Sequence, residues 1–193
     1  MNHISRIMLV LLVTGVVAAS LGVASNAIWT DSQNVDANVF STGTIDISTN
    51  PTTALVTFSG MAPGDQVTNP ITVTNAGSLQ LRYAVTSTTT ENTLAAQLDM
   101  TIKSGVTTCT NGGFGGSGTV IYGAGDLGST TPGTKVIGDP AQGQQTGDRT
   151  LNASANEALC FHVELPAATG NSFQGQTTTA TFAFAAEQTS SNP

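Results

Sequence analysis

The chain has 193 residues, charged residues make up only 9% of it, and its formal net charge is −7. With 12 acidic residues against 5 basic ones, this composition argues against a nucleic-acid partner, because nucleic-acid phosphates would be repelled. Patterned apolar segments recur along the whole length, which excludes a disordered chain.

The N-terminus resembles a secretion signal. Arg6 precedes an apolar run over residues 7–24, and the sequence SNA at 25–27 has the small-x-small form that signal peptidase cleaves. We therefore predict a signal peptide over residues 1–27. A retained anchor is the alternative, since a run of about 18 residues is at the lower limit for crossing a bilayer. Either way the remainder is exported, and no integral membrane domain is expected after cleavage.

The predicted mature chain begins with an extended segment, residues 28–40, here called the N-terminal arm. Apolar Val35, Ala37 and Val39 alternate with polar residues, as in a strand buried on one face. The arm either packs as the first strand of its own domain or adds to another copy of the chain. The candidate assembly residues of the arm are Ile28, Trp29, Val35, Ala37, Val39 and Phe40.

Residues 41–193 follow as a domain of short alternating strands separated by glycine- and proline-containing turns. Strand faces are predicted at Ile45/Ile47, Val56/Phe58, Ile71/Val73, Leu79–Val85, Leu98–Ile102, Leu159–Leu165 and Phe182/Phe184. Gln80 and Arg82 are expected to face outward. Between about residues 105 and 149 the pattern fails, which predicts a long glycine-rich loop with at most short strands at 120–122 and 136–137.

This pattern predicts an all-β fold, an antiparallel jelly-roll-like β-sandwich carrying the glycine-rich loop as an insertion. An immunoglobulin-like sandwich is the alternative. Such a sandwich places a Trp against a cysteine bridge, but the one Trp of this chain is Trp29, outside the domain body.

The two cysteines, Cys109 and Cys160, lie in the exported part, where a disulfide is the default over free thiols. The bridge would contribute about 4 kcal/mol by closing a loop of about 50 residues. Because Leu159, Phe161 and Val163 alternate with it, Cys160 should point away from the core. The bridge would then hold the glycine-rich loop across the outside of the sheet.

Four segments in order resemble the TasA/camelysin family of secreted biofilm-matrix proteins with the SipW-type signal peptide. These are AIWTD at 27–31, NVFSTGTIDI at 38–47, APGD at 62–65 with ITVTNAGSL at 71–79, and FQG at 173–175 with TFAFAAEQ at 181–188. The resemblance implies a jelly-roll subunit of extracellular fibres, in which the arm of one subunit completes the sheet of its neighbour. The partner would be a second copy of the chain in a head-to-tail homopolymer, with an accessory anchor protein as a further candidate. The expected location is the extracellular matrix or the cell surface.

Relatives of the camelysin type have been described as metalloproteases, so a hydrolase is the second hypothesis. Its chemistry would rest on His162 and Glu164, because His3 lies in the signal peptide. No HExxH motif and no second histidine accompany His162, so we expect a surface histidine, with no catalytic residues, no cofactor and no metal site. Asp126, Asp139 and Asp148 lack the spacing of a calcium loop. A monomeric surface adhesin that binds a ligand through residues 105–149 is the third hypothesis.

Overall fold

The computed structural model describes residues 3, 41–52 and 60–192. Within this part of the chain, nine strands and two single 3-10 turns make up the regular structure. The strands are β1 (Ile47–Asn50), β2 (Gln66–Asn75), β3 (Leu81–Thr89), β4 (Asp99–Ser104), β5 (Thr119–Asp126), β6 (Thr134–Ile137), β7 (Arg149–Leu151), β8 (Asn156–Glu164) and β9 (Ala180–Gln188). The strand face predicted at Val56 and Phe58 lies outside the described residues.

The strands form two antiparallel sheets, which confirms the all-β prediction. Sheet A has the order β1-β2-β8-β4-β5. In sheet B, β3 pairs with β9 over nine residues and with β6 and β7 at separate positions. The jelly-roll assignment stays a prediction.

The core lies between the inner faces of the two sheets, and the period-two apolar residues supply it, as the alternation predicts. Val73, Met100, Ile102 and Phe161 of sheet A are fully buried, as is Val85 of sheet B. Because large-to-small changes in a packed core leave cavities, Phe161→Ala should cost about 3–5 kcal/mol of unfolding free energy.

The prediction of one long loop over residues 105–149 is wrong in part. Strand β5 runs for eight residues and pairs with β4, while β6 pairs with β3, so this stretch contributes one strand to each sheet. Strand β7 begins at its end and was not predicted. Most of β5 is exposed, and it is held by backbone pairing at the sheet edge, where an apolar side-chain pattern is not required.

Arg82 is buried, with 5% of its surface exposed, although the alternation predicts that it faces outward. Its side chain does leave the outer face of sheet B. There it donates from Nε to Glu187 Oε1 at 2.6 Å and from a terminal nitrogen to the carbonyl of Asn192. The chain segment after β9 therefore covers this face, which the local pattern around Arg82 does not reveal.

Candidate functional site

All six candidate assembly residues of the arm, Ile28, Trp29, Val35, Ala37, Val39 and Phe40, lie outside the described residues. The described part of the domain begins at Ser41, and its first four residues, 41–44, are exposed and connect the arm to the domain body. The structure therefore bears on the surface that could receive an arm.

Two of the resembling segments bind each other where the chain enters the domain. Ser78 N–H donates to Thr44 O at 3.0 Å, Thr44 N–H donates to Ser78 Oγ at 3.0 Å, and Ala76 N–H donates to Asp46 O at 2.8 Å. Gly77 is required here, because a Cβ at this position would overlap the backbone of residues 44–46. Strand β1 begins at Ile47, so Ile45, which is 43% exposed, is not part of the strand face that the sequence predicts.

Asn75 holds this turn from below and is fully buried. Its Oδ1 accepts from Gly77 N–H at 3.0 Å, and its Nδ2 lies within hydrogen-bond distance of the carbonyls of Leu79, Leu151 and Asn152. Leu79 precedes Gln80, whose carbonyl accepts from Thr189 N–H at 3.2 Å, just beyond the C-terminal end of β9. The connection to the arm is thus fixed close to that end of β9.

Strand β9 is the longest regular edge among the described strands. Edge strand β1 has four residues and ends before Pro51, and β5 has two register irregularities and a left-handed residue, Ala124. The other edge of sheet B is divided between the short strands β6 and β7. Breaks of this kind protect sheet edges from further pairing. By contrast, β9 pairs with β3 over nine residues without a shift and carries no Lys, Arg or Pro.

Hydrogen bonds at both ends of β9 establish which of its backbone groups face outward. Thr189 N–H donates to Gln80 O, and Thr90 N–H donates to Thr179 O at 3.1 Å, in the same register as the nine pairs between them. Hydrogen-bonded pairs alternate in an antiparallel ladder, so the odd-numbered residues of β9 bond to β3. The N–H and C=O groups of the even-numbered residues point to the other edge, where no strand within residues 41–52 and 60–192 pairs with them.

The inner face of β9 is apolar but incompletely covered. Phe182 stacks edge-to-face on Phe161, with 5.1 Å between ring centroids, and Phe184 lies 6.2 Å from Tyr83. Phe161 and Tyr83 are fully buried, whereas Phe182 and Phe184 are each only half-buried. This edge therefore combines backbone groups that no described strand pairs with and apolar surface that a further strand could bury.

The disulfide predicted between Cys109 and Cys160 is present, with 5.6 Å between the two Cα atoms. Cys160 points away from the core, as its place in β8 predicts, yet it is only 2% exposed. It is buried because the segment over residues 105–118 lies on the outer face of sheet A. In that segment Asn111 Nδ2 donates to Gln66 O at 2.8 Å.

His162 is not the surface histidine that the sequence predicts. It is 8% exposed and stacks on Phe114, with 4.5 Å between ring centroids and 14° between planes. Its Nδ1 lies 2.7 Å from Thr68 Oγ1, and its Nε2 lies 3.8 Å from a Glu164 oxygen. Burial lowers the pKa of His162, since removal from water disfavours the imidazolium, and Lys103 acts in the same direction while Glu164 opposes them.

Metal binding and membrane crossing are considered for residues 41–52 and 60–192 alone, the part of the domain that the structure describes. No group of three or more His, Cys, Asp or Glu side chains is arranged there to hold a metal ion. Asp148 accepts from the backbone N–H groups of Asp139 and Gln145, and Asp139 pairs with Lys135 at 2.5 Å, so these loop carboxylates serve as local caps. None of the described helices has the length and apolar character that a membrane crossing requires.

Glu187 is a connecting residue that the sequence reasoning missed. Besides Arg82, it accepts from Gly143 N–H at 3.0 Å and from Asn192 Nδ2 at 2.8 Å. It thereby ties β9 to β3, to the loop before β7 and to the C-terminal segment. Arg82, one of the few basic residues of the chain, was the available signal, since an isolated cation in a strand needs an acidic partner.

Comparison with known proteins identifies the family. Residues 4–107, more than half of the chain, match the family described as Camelysin metallo-endopeptidase. No curated protein matches the chain. The match includes the arm, the segment around Thr44 and the turn of Asn75 to Leu79. The chain belongs to the TasA/camelysin family.

Proposed function

We propose that this protein is a secreted structural subunit of extracellular fibres in a biofilm matrix or on a cell surface. In this proposal the N-terminal arm of one copy adds as a strand to the β9 edge of the next copy. The observation that carries it is the regular nine-residue edge of β9 with half-buried Phe182 and Phe184 on its inner face. Strand addition both satisfies such an edge and fills an apolar groove.

The arm is chemically suited to this edge. Its alternating Val35, Ala37 and Val39 would lie over the phenylalanines, and burying each valine is worth about 1.5–3 kcal/mol. The polar residues between them would face water. Each backbone hydrogen bond to an even-numbered residue of β9 adds about 0.5–1.5 kcal/mol.

The connection at Thr44 favours exchange over self-packing. A chain's own arm would have to end, at residue 40, near the C-terminal end of β9. It would therefore run in the same direction as β9 and pair parallel to it. Another copy's arm has no such tether and can pair antiparallel, as all the pairs among the named strands do. Antiparallel pairing is somewhat more stable per residue, and a head-to-tail contact that does not close produces a filament.

Electron microscopy and peptide binding test this proposal. Mature protein beginning at Ile28 should form filaments, and protein lacking residues 28–38 should remain monomeric. A synthetic peptide of residues 28–40 should bind the shortened protein and stop filament growth of the intact one. A control peptide with Val35→Asn and Val39→Asn should do neither. Filaments formed by the shortened protein would rule out the arm as the connecting element.

Peptidase activity is a second candidate, favoured by the description of the family. Thr68, His162 and Glu164 are neighbours on the outer face of sheet A. Phe114, however, covers the imidazole. Casein cleavage that requires a divalent metal and is lost in His162→Ala would support it. A mature protein that stays monomeric and cleaves nothing would favour the adhesin hypothesis.

A further inference from the structure

Residues 105–118, here called the cover, lie on the outer face of sheet A and are held by a small number of contacts. Besides the disulfide and the Asn111 hydrogen bond, Lys103 Nζ donates to Phe114 O at 2.9 Å. Phe114 is the one buried residue of the cover. The remainder is mostly exposed glycine, serine and threonine, so little apolar area opposes its detachment.

The stack of Phe114 on His162 is therefore the principal non-covalent contact that holds the cover on sheet A. Both residues are 8% exposed, and the Thr68 hydroxyl lies 2.7 Å from the imidazole Nδ1. Removing Phe114 from this position would return the imidazole to water. Closure of the cover and the solvation of His162 are thus linked.

Side chains from three strands face the imidazole, and two of these strands, β4 and β8, supply the charged groups. The Lys103 ammonium of β4 lies 4.3 Å from the centroid of the Phe114 ring, so a positive charge is already next to the stacked rings. Glu164 of β8 lies 3.8 Å away and is 45% exposed, and Asp99 of β4 is its register partner. From β2 the facing group is the uncharged Thr68. Glu164, which is partly hydrated, thus favours the charged imidazolium, whereas Lys103 and the burial of the ring disfavour it.

We infer that two restraints hold the cover closed, the Phe114–His162 stack and the Cys109–Cys160 bridge. Protonation of His162 loosens the stack, while the bridge keeps the cover tethered to the sheet. With the bridge intact, acidification permits local opening around Phe114. With the bridge reduced by a dithiol, the same acidification releases the whole cover and exposes Thr68 and His162. This inference does not depend on the proposed polymerisation.

The expected size of the effect follows from linkage. The open form binds the proton more tightly, because burial in the closed form lowers the pKa of His162 from its ordinary 6.5. Opening therefore becomes more favourable as the pH falls below about 6.5. At about pH 5.5 the opening equilibrium can rise by at most about tenfold, the limit for an imidazole that stays neutral when closed.

Hydrogen exchange of the cover, corrected for intrinsic rates, tests the inference. Phe114 N–H donates to Thr110 O at 2.9 Å and Gly116 N–H donates to Gly113 O at 3.2 Å. Both bonds lie within the cover, so these amides report opening of the turn that carries Phe114. In the oxidised protein their protection should fall several-fold, by up to about tenfold, between pH 7.5 and 5.5. Amides of β4 and β8 serve as the internal control and should keep their protection.

Variants separate the contribution of the Phe114–His162 stack from that of the disulfide. His162→Phe keeps an aromatic partner without a titrating group, and it should lose the pH dependence while the cover stays closed. His162→Gln provides the same test should that variant fail to fold. Reduction with dithiothreitol, or the Cys109→Ser/Cys160→Ser pair, should increase exchange of the whole cover at pH 5.5. Equal pH dependence in wild-type and His162→Phe would overturn the inference, as would a cover whose exchange is unchanged by reduction.

Discussion

A pair of proline substitutions on neighbouring residues of β9 separates the stability of the domain from its ability to accept a strand. Ala185 is odd-numbered and bonds to Ala84 of β3, whereas the backbone groups of Ala186 face away from β3, toward the edge where no described strand pairs. Proline has no N–H, so in a sheet it is tolerated where that N–H faces solvent. Ala186→Pro should therefore fold nearly as wild type, and Ala185→Pro should not.

Ala185→Pro should mainly lower the unfolding free energy, whereas Ala186→Pro should mainly weaken filament growth. Ala185→Pro leaves the Ala84 carbonyl without its donor, which should cost about 1–3 kcal/mol of unfolding free energy, or roughly 2–10 °C in Tm. Ala186→Pro should change the unfolding free energy by less than about 1 kcal/mol. It removes a donor for the incoming strand, however, and about 1–3 kcal/mol there raises the critical concentration for filament growth roughly 5- to 150-fold.

Sedimentation of mature protein over a range of concentrations measures the critical concentration, and urea denaturation of the variant lacking residues 28–38 measures stability without polymerisation. The reasoning about β9 is refuted if Ala186→Pro polymerises as wild type while remaining folded. It is also refuted if the two variants lose equal stability, since the assignment of outward-facing groups would then be wrong.

Three further predictions concern the domain itself. Asn75→Ala should cost about 2–4 kcal/mol in urea denaturation, because its buried amide contacts three backbone carbonyls. Gly77→Ala should lower Tm by several degrees by displacing residues 44–46, while Gly112→Ala, where a Cβ meets nothing, should leave it unchanged. Glu187 has its pKa lowered, chiefly by its hydrogen bond from Arg82, so its stabilisation is present above about pH 4.5 and is lost as the pH falls through its lower folded value. Glu187→Gln should therefore flatten the dependence of Tm on pH in that acidic range, and an unchanged profile would contradict the role given to this carboxylate.

The camelysin family name raises the question of what the buried histidine does. In this chain His162 contacts Thr68 and Phe114, and within the described residues it has no second histidine or free thiol beside it. Loss of the cover's pH response in His162→Phe, without any change in casein cleavage, would assign this histidine to the cover and not to catalysis.

Local sequence was sufficient for the elements whose information is carried by alternation. The core faces of β2, β4 and β8 follow from residues two apart, since side chains on one side of a strand share an environment. The same pattern predicted the outward direction of Cys160, and the presence of two cysteines in an exported chain predicted their disulfide. The resembling segments likewise indicated the family without any contact information.

Tertiary structure alone decided what covers each outer face and which edge stays regular. Arg82 and His162 both point outward as alternation predicts, yet both are buried, because segments far away in the chain fold over them. The edge position of β9 and the irregularities of β5 depend on strand order and register, which arise from pairing between distant residues. Period-two patterning records the inner and outer faces of a strand. It contains nothing about the neighbour on either side or the loop above, and those contacts determine the candidate site.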